Sequence, residues 1–109
     1  MKYHGYYWSY GYKDPDGQVT QAALTKSTLS LVWEEDGDKG QLDAKVTEED
    51  LFEGQFSYMH SPGVGQFLFR LYRSGSRVLL FGTWYWPPQQ EEGAWVIVLD
   101  PVEEQHDKR

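Results

Sequence analysis

Apolar and polar residues alternate with a period of two along most of the chain, and the alternation repeatedly starts at a glycine. Two-residue alternation is the pattern of a β-strand with one buried face. Six segments follow it, beginning at Gly5, Gly40, Gly54, Gly65, Gly82 and Gly93. The last four begin 11, 17 and 11 residues apart, which is enough for one strand and one turn each. The spacing predicts consecutive antiparallel strands without crossover helices.

Turn-forming residues fall between these segments. Proline and glycine in particular supply the backbone angles that chain reversals need. The predicted turns occupy 14–17, 35–38, 61–64, 74–75 and 87–92. The strands predicted from both patterns cover 3–12, 18–24, 27–35, 39–47, 53–60, 65–73, 77–86 and 93–99.

The chain reversal between the strands predicted at 18–24 and 27–35 lacks the usual turn-forming residues. Residues 19–31 contain no Gly, Pro, Asn or Asp, so the reversal placed near Thr25 and Lys26 has no local signal. Seven strands, or a helix over 19–26, are therefore the alternatives to eight strands.

Two further stretches affect the domain organisation. Residues 47–50 are interpreted either as a polar corner between strands or as the first turn of a short helix capped by Thr47. After Leu99 the chain is polar, and we expect residues 100–109 to form a frayed tail. The prediction is a single domain over 1–99.

The alternation assigns apolar side chains to one face of the sheet. They are Tyr7, Leu29, Leu31, Trp33, Leu42, Ala44, Val46, Phe56, Tyr58, Phe67, Phe69, Leu71, Val78, Leu80, Trp84, Trp86, Trp95, Ile97 and Leu99. Without a convincing helix to cover this face, the sheet has to cover it itself. The predicted fold is all-β, an antiparallel up-and-down meander of about eight strands in a closed or nearly closed β-barrel. A β-sandwich is the alternative, but glycines in the strands favour the barrel, whose strands bend sharply at glycine.

One motif resembles a known family. Its residues are Phe-Gly-Thr-Trp-Tyr at 81–85, with shorter copies Gly-Ala-Trp at 93–95 and Gly-Tyr-Tyr-Trp at 5–8. They resemble the glycine-aromatic strand starts of the calycin group, the avidin-like and lipocalin-like barrels. The resemblance implies a small barrel that binds a small molecule inside its mouth. Those families carry the Gly-x-Trp motif in the first strand, whereas here it lies in the penultimate one, so no ligand contact is transferred by position.

The composition narrows the possible partners. A chain of 109 residues with no cysteine and three histidines is predicted to have one core, no disulfide framework, no thiolate metal site and no cofactor. Its 17 acidic residues against 10 Lys and Arg give a net charge of -7, which disfavours nucleic acid as a partner. Neither a signal-peptide core nor a run of roughly 18 apolar residues is found, so we expect no membrane partner and a soluble, cytoplasmic protein.

Four aromatic residues are the candidate ligand contacts. Tyr58, Trp84, Trp86 and Trp95 lie on the predicted inner face, where large side chains fill the interior of a small barrel. Around an open mouth, the same residues would offer apolar walls and an N–H or O–H that orients a ligand. We expect a non-catalytic binding protein for a small apolar or aromatic ligand, with close packing of these rings as the alternative.

Aromatic residues also occupy positions predicted to face water. The candidate interface residues are Tyr6, Trp8, Tyr10, Tyr72, Phe81 and Tyr85. Since the first and last strands of a barrel are neighbours, we expect one outer patch, which also contains Leu68, Leu79, Val96 and Val98. Such a patch marks contact with a protein partner or a second copy in a homodimer. Coverage by residues 19–26 or by the tail is the alternative.

Charged residues give a weaker indication of function. If a hairpin exists at 25–26, the acidic loops at 14–16, 34–38 and 91–92 share one end of the barrel, where their field would attract basic surfaces. Ordinary solvation of loops and nucleic-acid mimicry are the alternatives.

No nucleophile with a positioned base is found, so the protein is predicted not to be an enzyme. A barrel acid-base site made from Glu53, Arg70, Tyr58 and Tyr7 is the alternative. It conflicts with the alternation, which places Arg70 outside and both tyrosines inside.

Overall fold

Eight antiparallel strands form the structure, a computed structural model that describes residues 2–9 and 13–102. The strands are β1 (Lys2–Trp8), β2 (Gly17–Leu24), β3 (Thr28–Glu35), β4 (Asp38–Glu48), β5 (Leu51–Tyr58), β6 (Gly65–Ser74), β7 (Arg77–Trp86) and β8 (Glu91–Pro101), with one turn of 3-10 helix at Pro87–Gln89. Each strand pairs with the next and β8 pairs with β1, so the sheet closes. The predicted all-β meander and barrel are confirmed, and the sandwich alternative is wrong.

Most strand ends lie within two residues of the predicted positions. β1 ends at Trp8, and the prediction for residues 10–12 lies outside the described residues. β8 continues to Pro101 because its last residues pair with β1, so the strand includes the start of the predicted tail. Within the part of the chain that the structure describes, no helix is long and apolar enough to cross a membrane.

The uncertain reversal is a tight turn between β2 and β3 that Thr25 holds. Thr25 Oγ1 accepts hydrogen bonds from the backbone N–H of Ser27 at 3.3 Å and of Thr28 at 3.0 Å. The Thr25 N–H donates to the Thr28 carbonyl at 2.9 Å. A threonine hydroxyl can replace the usual turn residues in this way. The alternatives of seven strands and of a helix over 19–26 are therefore wrong.

Two acidic turns show how short connections reverse the chain. The turn that connects β3 and β4 has two residues, Asp36 and Gly37, with φ of 48° and 81°. Two-residue turns that match the twist of the strands require positive φ at these positions. The connection between β4 and β5 is a turn in which Asp50 has a φ of 59°. The helix predicted as an alternative at 47–50 is therefore not formed.

The core lies inside the barrel and contains the predicted inner face. Its predicted members are buried or, for Val46, Tyr58, Trp84 and Trp86, half-buried against the others. Five further core residues were not predicted, namely Tyr3, Val19, Ala22, Leu24 and Phe52. In β2 the register shifts between Val19 and Gln21, so strict alternation fails along that strand. Phe52 was not predicted to be in the core because β5 begins two residues before its predicted start.

Close approach of neighbouring strands explains why glycine recurs in them. A Cβ added at Gly82 would overlap the carbonyl oxygen of Leu68 and lie 2.7 Å from its carbonyl carbon. A Cβ added at Gly5 would overlap the carbonyl oxygen of Val98 in the same way. These backbones can come so close only where a side chain is missing, as expected at sharp bends of barrel strands.

Candidate ligand-binding site at the barrel mouth

A cavity of about 650 Å³ opens at one end of the barrel, called the mouth here. In a meander, the connections after β1, β3, β5 and β7 share one end, and residues from all four lie around this cavity. Below it the interior is filled, since Phe69, Leu80 and Leu99 are completely inaccessible to solvent. The cavity thus lies above a packed core, and its volume is in the range of small-molecule sites.

The cavity wall combines aromatic rings with carboxylates. The aromatic residues are Phe56, Tyr58, Trp84, Trp86 and Trp95, and the acidic residues are Glu35, Asp36, Asp38 and Glu91. The rings come from β5, β7 and β8, while the carboxylates come from β3, β4, β8 and the turn between β3 and β4. The four predicted ligand residues thus all lie on this wall. Their part in binding stays a prediction.

The aromatic residues differ in depth. Trp95 is 3% exposed and packs into the core, whereas Tyr58, Trp84 and Trp86 are half-buried and reach the cavity. Phe56 stacks on Trp86, with ring centres 5.5 Å apart and planes 26° apart. Tyr58 meets the same indole nearly at a right angle, at 5.5 Å and 84°. Packing and an accessible wall therefore coexist, and the two interpretations of these rings are not exclusive.

Glycines opposite the rings make room for them. Four large inward aromatic residues near the mouth face a glycine on the neighbouring strand, in the pairs Tyr7 and Gly17, Trp33 and Gly40, Phe56 and Gly65, and Trp84 and Gly93. At Gly93, for example, an added Cβ would lie 2.8 Å from the Trp84 ring. Gly17 was expected to supply a positive φ, but it is not among the positive-φ glycines and instead leaves space for the Tyr7 ring. The repeat of glycine and aromatic residues is thus a packing pattern across strands.

Glu35 connects the two tyrosines at the mouth. Its Oε1 accepts a hydrogen bond from the Tyr7 hydroxyl and another from the Tyr58 hydroxyl, each at 3.1 Å. The Tyr7 hydroxyl also lies 3.2 Å from the carbonyl oxygen of Glu34. Sequence reasoning missed Glu35, although it lies two residues after the inward Trp33 and so shares its face.

The surroundings of Tyr7 oppose its ionisation. Burial raises the pKa of Tyr7 far above its ordinary value, and the negative charge of Glu35 and the hydrogen bond to it raise this pKa further. A phenolate at this position would lose water and face a carboxylate. Tyr7 therefore acts as a hydrogen-bond donor that fixes Glu35 at the mouth.

Asp38 holds the loop between β5 and β6. One of its oxygens, Oδ1, accepts from the backbone N–H groups of Lys39 at 2.8 Å and His60 at 2.9 Å, and Oδ2 accepts from the Ser61 hydroxyl at 2.8 Å. Desolvation acts to raise the pKa of Asp38, but these hydrogen bonds outweigh it, and the pKa is lowered. The carboxylate of Asp38 thus fixes one side of the rim.

Three indole N–H groups are buried without an acceptor among the described residues. They belong to Trp33, Trp84 and Trp95. A buried donor left unpaired costs about 1–3 kcal/mol, so such groups usually have a partner. The Trp84 N–H lies beside Gly93 and the Trp33 N–H beside Gly40, and none of the three is accessible to solvent.

The acid-base combination considered from sequence is not assembled. Glu53 and Arg70 are exposed, whereas Tyr7 is 1% exposed and Tyr58 lines the mouth. The carboxylate that does meet both tyrosines is Glu35. Within residues 2–9 and 13–102, no three His, Asp or Glu side chains form a group that could hold a metal ion.

The predicted outer patch is continuous across four strands. Cross-strand pairs align its side chains in two rows, one of Tyr6, Val98, Leu79 and Tyr72, the other of Trp8, Val96, Phe81 and Arg70. Tyr6 and Tyr72 are each 49% exposed, and Phe81 and Tyr85 are also exposed, but Trp8 is half-buried. Tyr10 lies outside the described residues. The role of the patch as an interface stays a prediction.

Comparison with known proteins gives no match from which a function of this site could be inferred. No protein-family model, no curated protein and no solved structure matches the chain. The function therefore has to be argued from the geometry of the cavity.

Proposed function

We propose that the protein is a non-catalytic binding protein that holds a small, largely apolar or aromatic molecule in the mouth of its barrel. The observation that carries the proposal is the cavity of about 650 Å³ above a filled core, with Tyr58, Trp84 and Trp86 on its wall. Concave sites of this size that combine aromatic walls with fixed polar groups are typical of small-molecule binding.

The polar groups at the mouth support orientation of a ligand. Glu35 is held by two tyrosine hydroxyls, so its position is fixed before anything binds. The loop after β5 is tied to Asp38 by three hydrogen bonds, which fixes that side of the rim. A preformed wall avoids much of the ordering cost that binding otherwise carries.

A neutral fluorescent probe tests the proposal. N-phenyl-1-naphthylamine, whose emission rises in apolar surroundings, is expected to bind the wild-type protein. Trp86→Ala should weaken this binding at least tenfold, because it removes one aromatic wall. The matched control is Tyr85→Ala, which removes the neighbouring aromatic side chain from the outer face. Equal loss of probe binding in both variants, each with a native circular-dichroism spectrum, would contradict a binding site at the mouth.

The outer patch favours a second candidate function, self-association into a homodimer. Two aligned rows of side chains, all apolar or aromatic except Arg70, lie on four neighbouring strands and give one surface that a second copy can match by a twofold axis. Tyr72 and Phe81 contact each other edge to face at 5.4 Å and remain exposed. Burial of such a patch is the usual driving force for association.

Sedimentation velocity between 1 and 100 micromolar protein distinguishes this candidate. Wild type is expected to associate, and Phe81→Glu is expected to remain a monomer. Gln41→Glu adds the same charge to the exposed outer face of β4 and is the control. A wild-type protein that stays monomeric throughout would exclude dimerisation through the patch.

A further inference from the structure

We propose that the mouth cavity selects organic cations, protonated or quaternary amines attached to an apolar body. This inference rests on the proposed binding function and adds the chemical class of the ligand. It follows from which charges line the cavity, which of them are already engaged, and how the rings are arranged beside them.

The charges on the cavity wall have one sign. Among the described lining residues, four are acidic and none is Lys, Arg or His. Walls of low polarity concentrate the field of such charges in the cavity and raise the local concentration of positive ions. An anionic ligand would meet repulsion from every charged group on the wall.

Two of the carboxylates are not used by the fold. Asp38 is engaged in holding the neighbouring loop, and Glu35 accepts from two tyrosines through one oxygen. The side chains of Asp36 and Glu91 make no hydrogen bond or ion pair within residues 2–9 and 13–102. Both residues are exposed, so their carboxylates are hydrated and remain available to pair with a ligand cation.

The rings stand beside the carboxylates in a way that suits a cation. Trp86 pairs with Glu91 across β7 and β8, and the Tyr58 hydroxyl contacts Glu35. Tyr58 and Trp86 form a corner with planes 84° apart, and since Phe56 stacks on one face of Trp86, the corner offers the ring surface that remains. The faces of Trp and Tyr attract ammonium groups within about 6 Å, and such aromatic corners bind quaternary ammonium ligands. Carboxylate and ring therefore act on the same positive group.

Three probes that share one aromatic ring separate charge from hydrophobicity. By isothermal titration calorimetry, benzyltrimethylammonium should bind at least tenfold more tightly than benzyl alcohol, and benzenesulfonate should not bind. Equal affinities for the cation and the neutral alcohol would overturn the cation selectivity and leave the binding function intact. If neither these probes nor N-phenyl-1-naphthylamine binds, the binding function itself fails.

Substitution of two adjacent glutamates separates the effect of a carboxylate in the cavity from that of the net negative charge of the protein. Glu91→Gln should weaken benzyltrimethylammonium binding about fivefold, a factor typical for loss of one nearby charge at the surface. Glu92→Gln removes the same charge one residue away, on the outer face opposite Tyr85, and should change the affinity less than twofold. Equal weakening by both variants, each with a native circular-dichroism spectrum, would show attraction by net charge alone and overturn the proposal.

Discussion

Replacement of Tyr7 by phenylalanine tests the link between the mouth and the core. The Tyr7 side chain is 1% exposed, and its hydroxyl contacts Glu35 and the carbonyl of Glu34 at 3.1 and 3.2 Å. Tyr7→Phe keeps the ring and removes only the hydroxyl. A hydrogen bond to a charged group contributes about 1.5–3 kcal/mol, so the variant should be about 2 kcal/mol less stable at pH 8.

The stability difference between wild type and Tyr7→Phe should decrease as the pH rises above 10. The folded-state pKa of Tyr7 is raised above the unfolded value of about 10, so its contribution to stability is complete below pH 10 and is lost as the pH rises toward the folded-state pKa. From linkage, wild type should lose about 1 kcal/mol relative to Tyr7→Phe between pH 10 and pH 11, and about 1.4 kcal/mol per pH unit above that. The stability difference of about 2 kcal/mol at pH 8 is thus expected to fall to roughly 0.6 kcal/mol at pH 11.

Urea unfolding followed by far-ultraviolet circular dichroism measures this difference at pH 8, 10 and 11. Tyr6→Phe is the matched control, because its side chain is 49% exposed on the outer face and the same hydroxyl is removed. Its stability relative to wild type should change little with pH. A difference between wild type and Tyr7→Phe that stays constant up to pH 11 would refute the argument that burial and Glu35 oppose ionisation.

Other substitutions test the packing, and urea unfolding measures each of them. Gly82→Ala should destabilise the barrel by about 3 kcal/mol or prevent folding, because the added Cβ overlaps a backbone carbonyl; Thr83→Ala beside it should cost less than about 1 kcal/mol. Equal effects at both positions would argue against close strand approach. Phe69→Ala should cost about 3–5 kcal/mol, since the side chain is completely buried, and a loss below 1 kcal/mol would contradict a filled interior. Arg77→Ala removes an exposed ion pair and should leave stability nearly unchanged, so a clear loss would assign the pair a structural role.

Alternation was a reliable guide to strands and faces because it reports which side of each strand meets the core. It failed where the register shifts, as between Val19 and Gln21 in β2, since an extra residue reverses the side to which the following residues point. The turn at Thr25 was placed correctly but without a local signal, for a different reason. A hydroxyl that binds nearby backbone N–H groups is a weaker signal than glycine or proline.

Part of the candidate site could also be predicted from the sequence, and part could not. Tyr58, Trp84, Trp86 and Trp95 could be chosen from sequence, because large aromatic residues at inward positions fit both a core and a mouth. The hydrogen bonds of Glu35 could not, because Tyr7 is 28 residues away in sequence and reaches Glu35 only through the pairing of three strands. The open end and the volume of the cavity also depend on how far the rings fill the interior.

The sequence by itself determined that consecutive strands run antiparallel and on which face most side chains lie. Those features follow from a local period of two and from turn residues. Tertiary structure decided for eight strands over seven and for the predicted barrel over the sandwich. It alone gave the pairing of four inward rings with a glycine opposite and the meeting of carboxylates and rings at one mouth. The physical reason is that cross-strand register depends on contacts between distant segments, which no local pattern encodes.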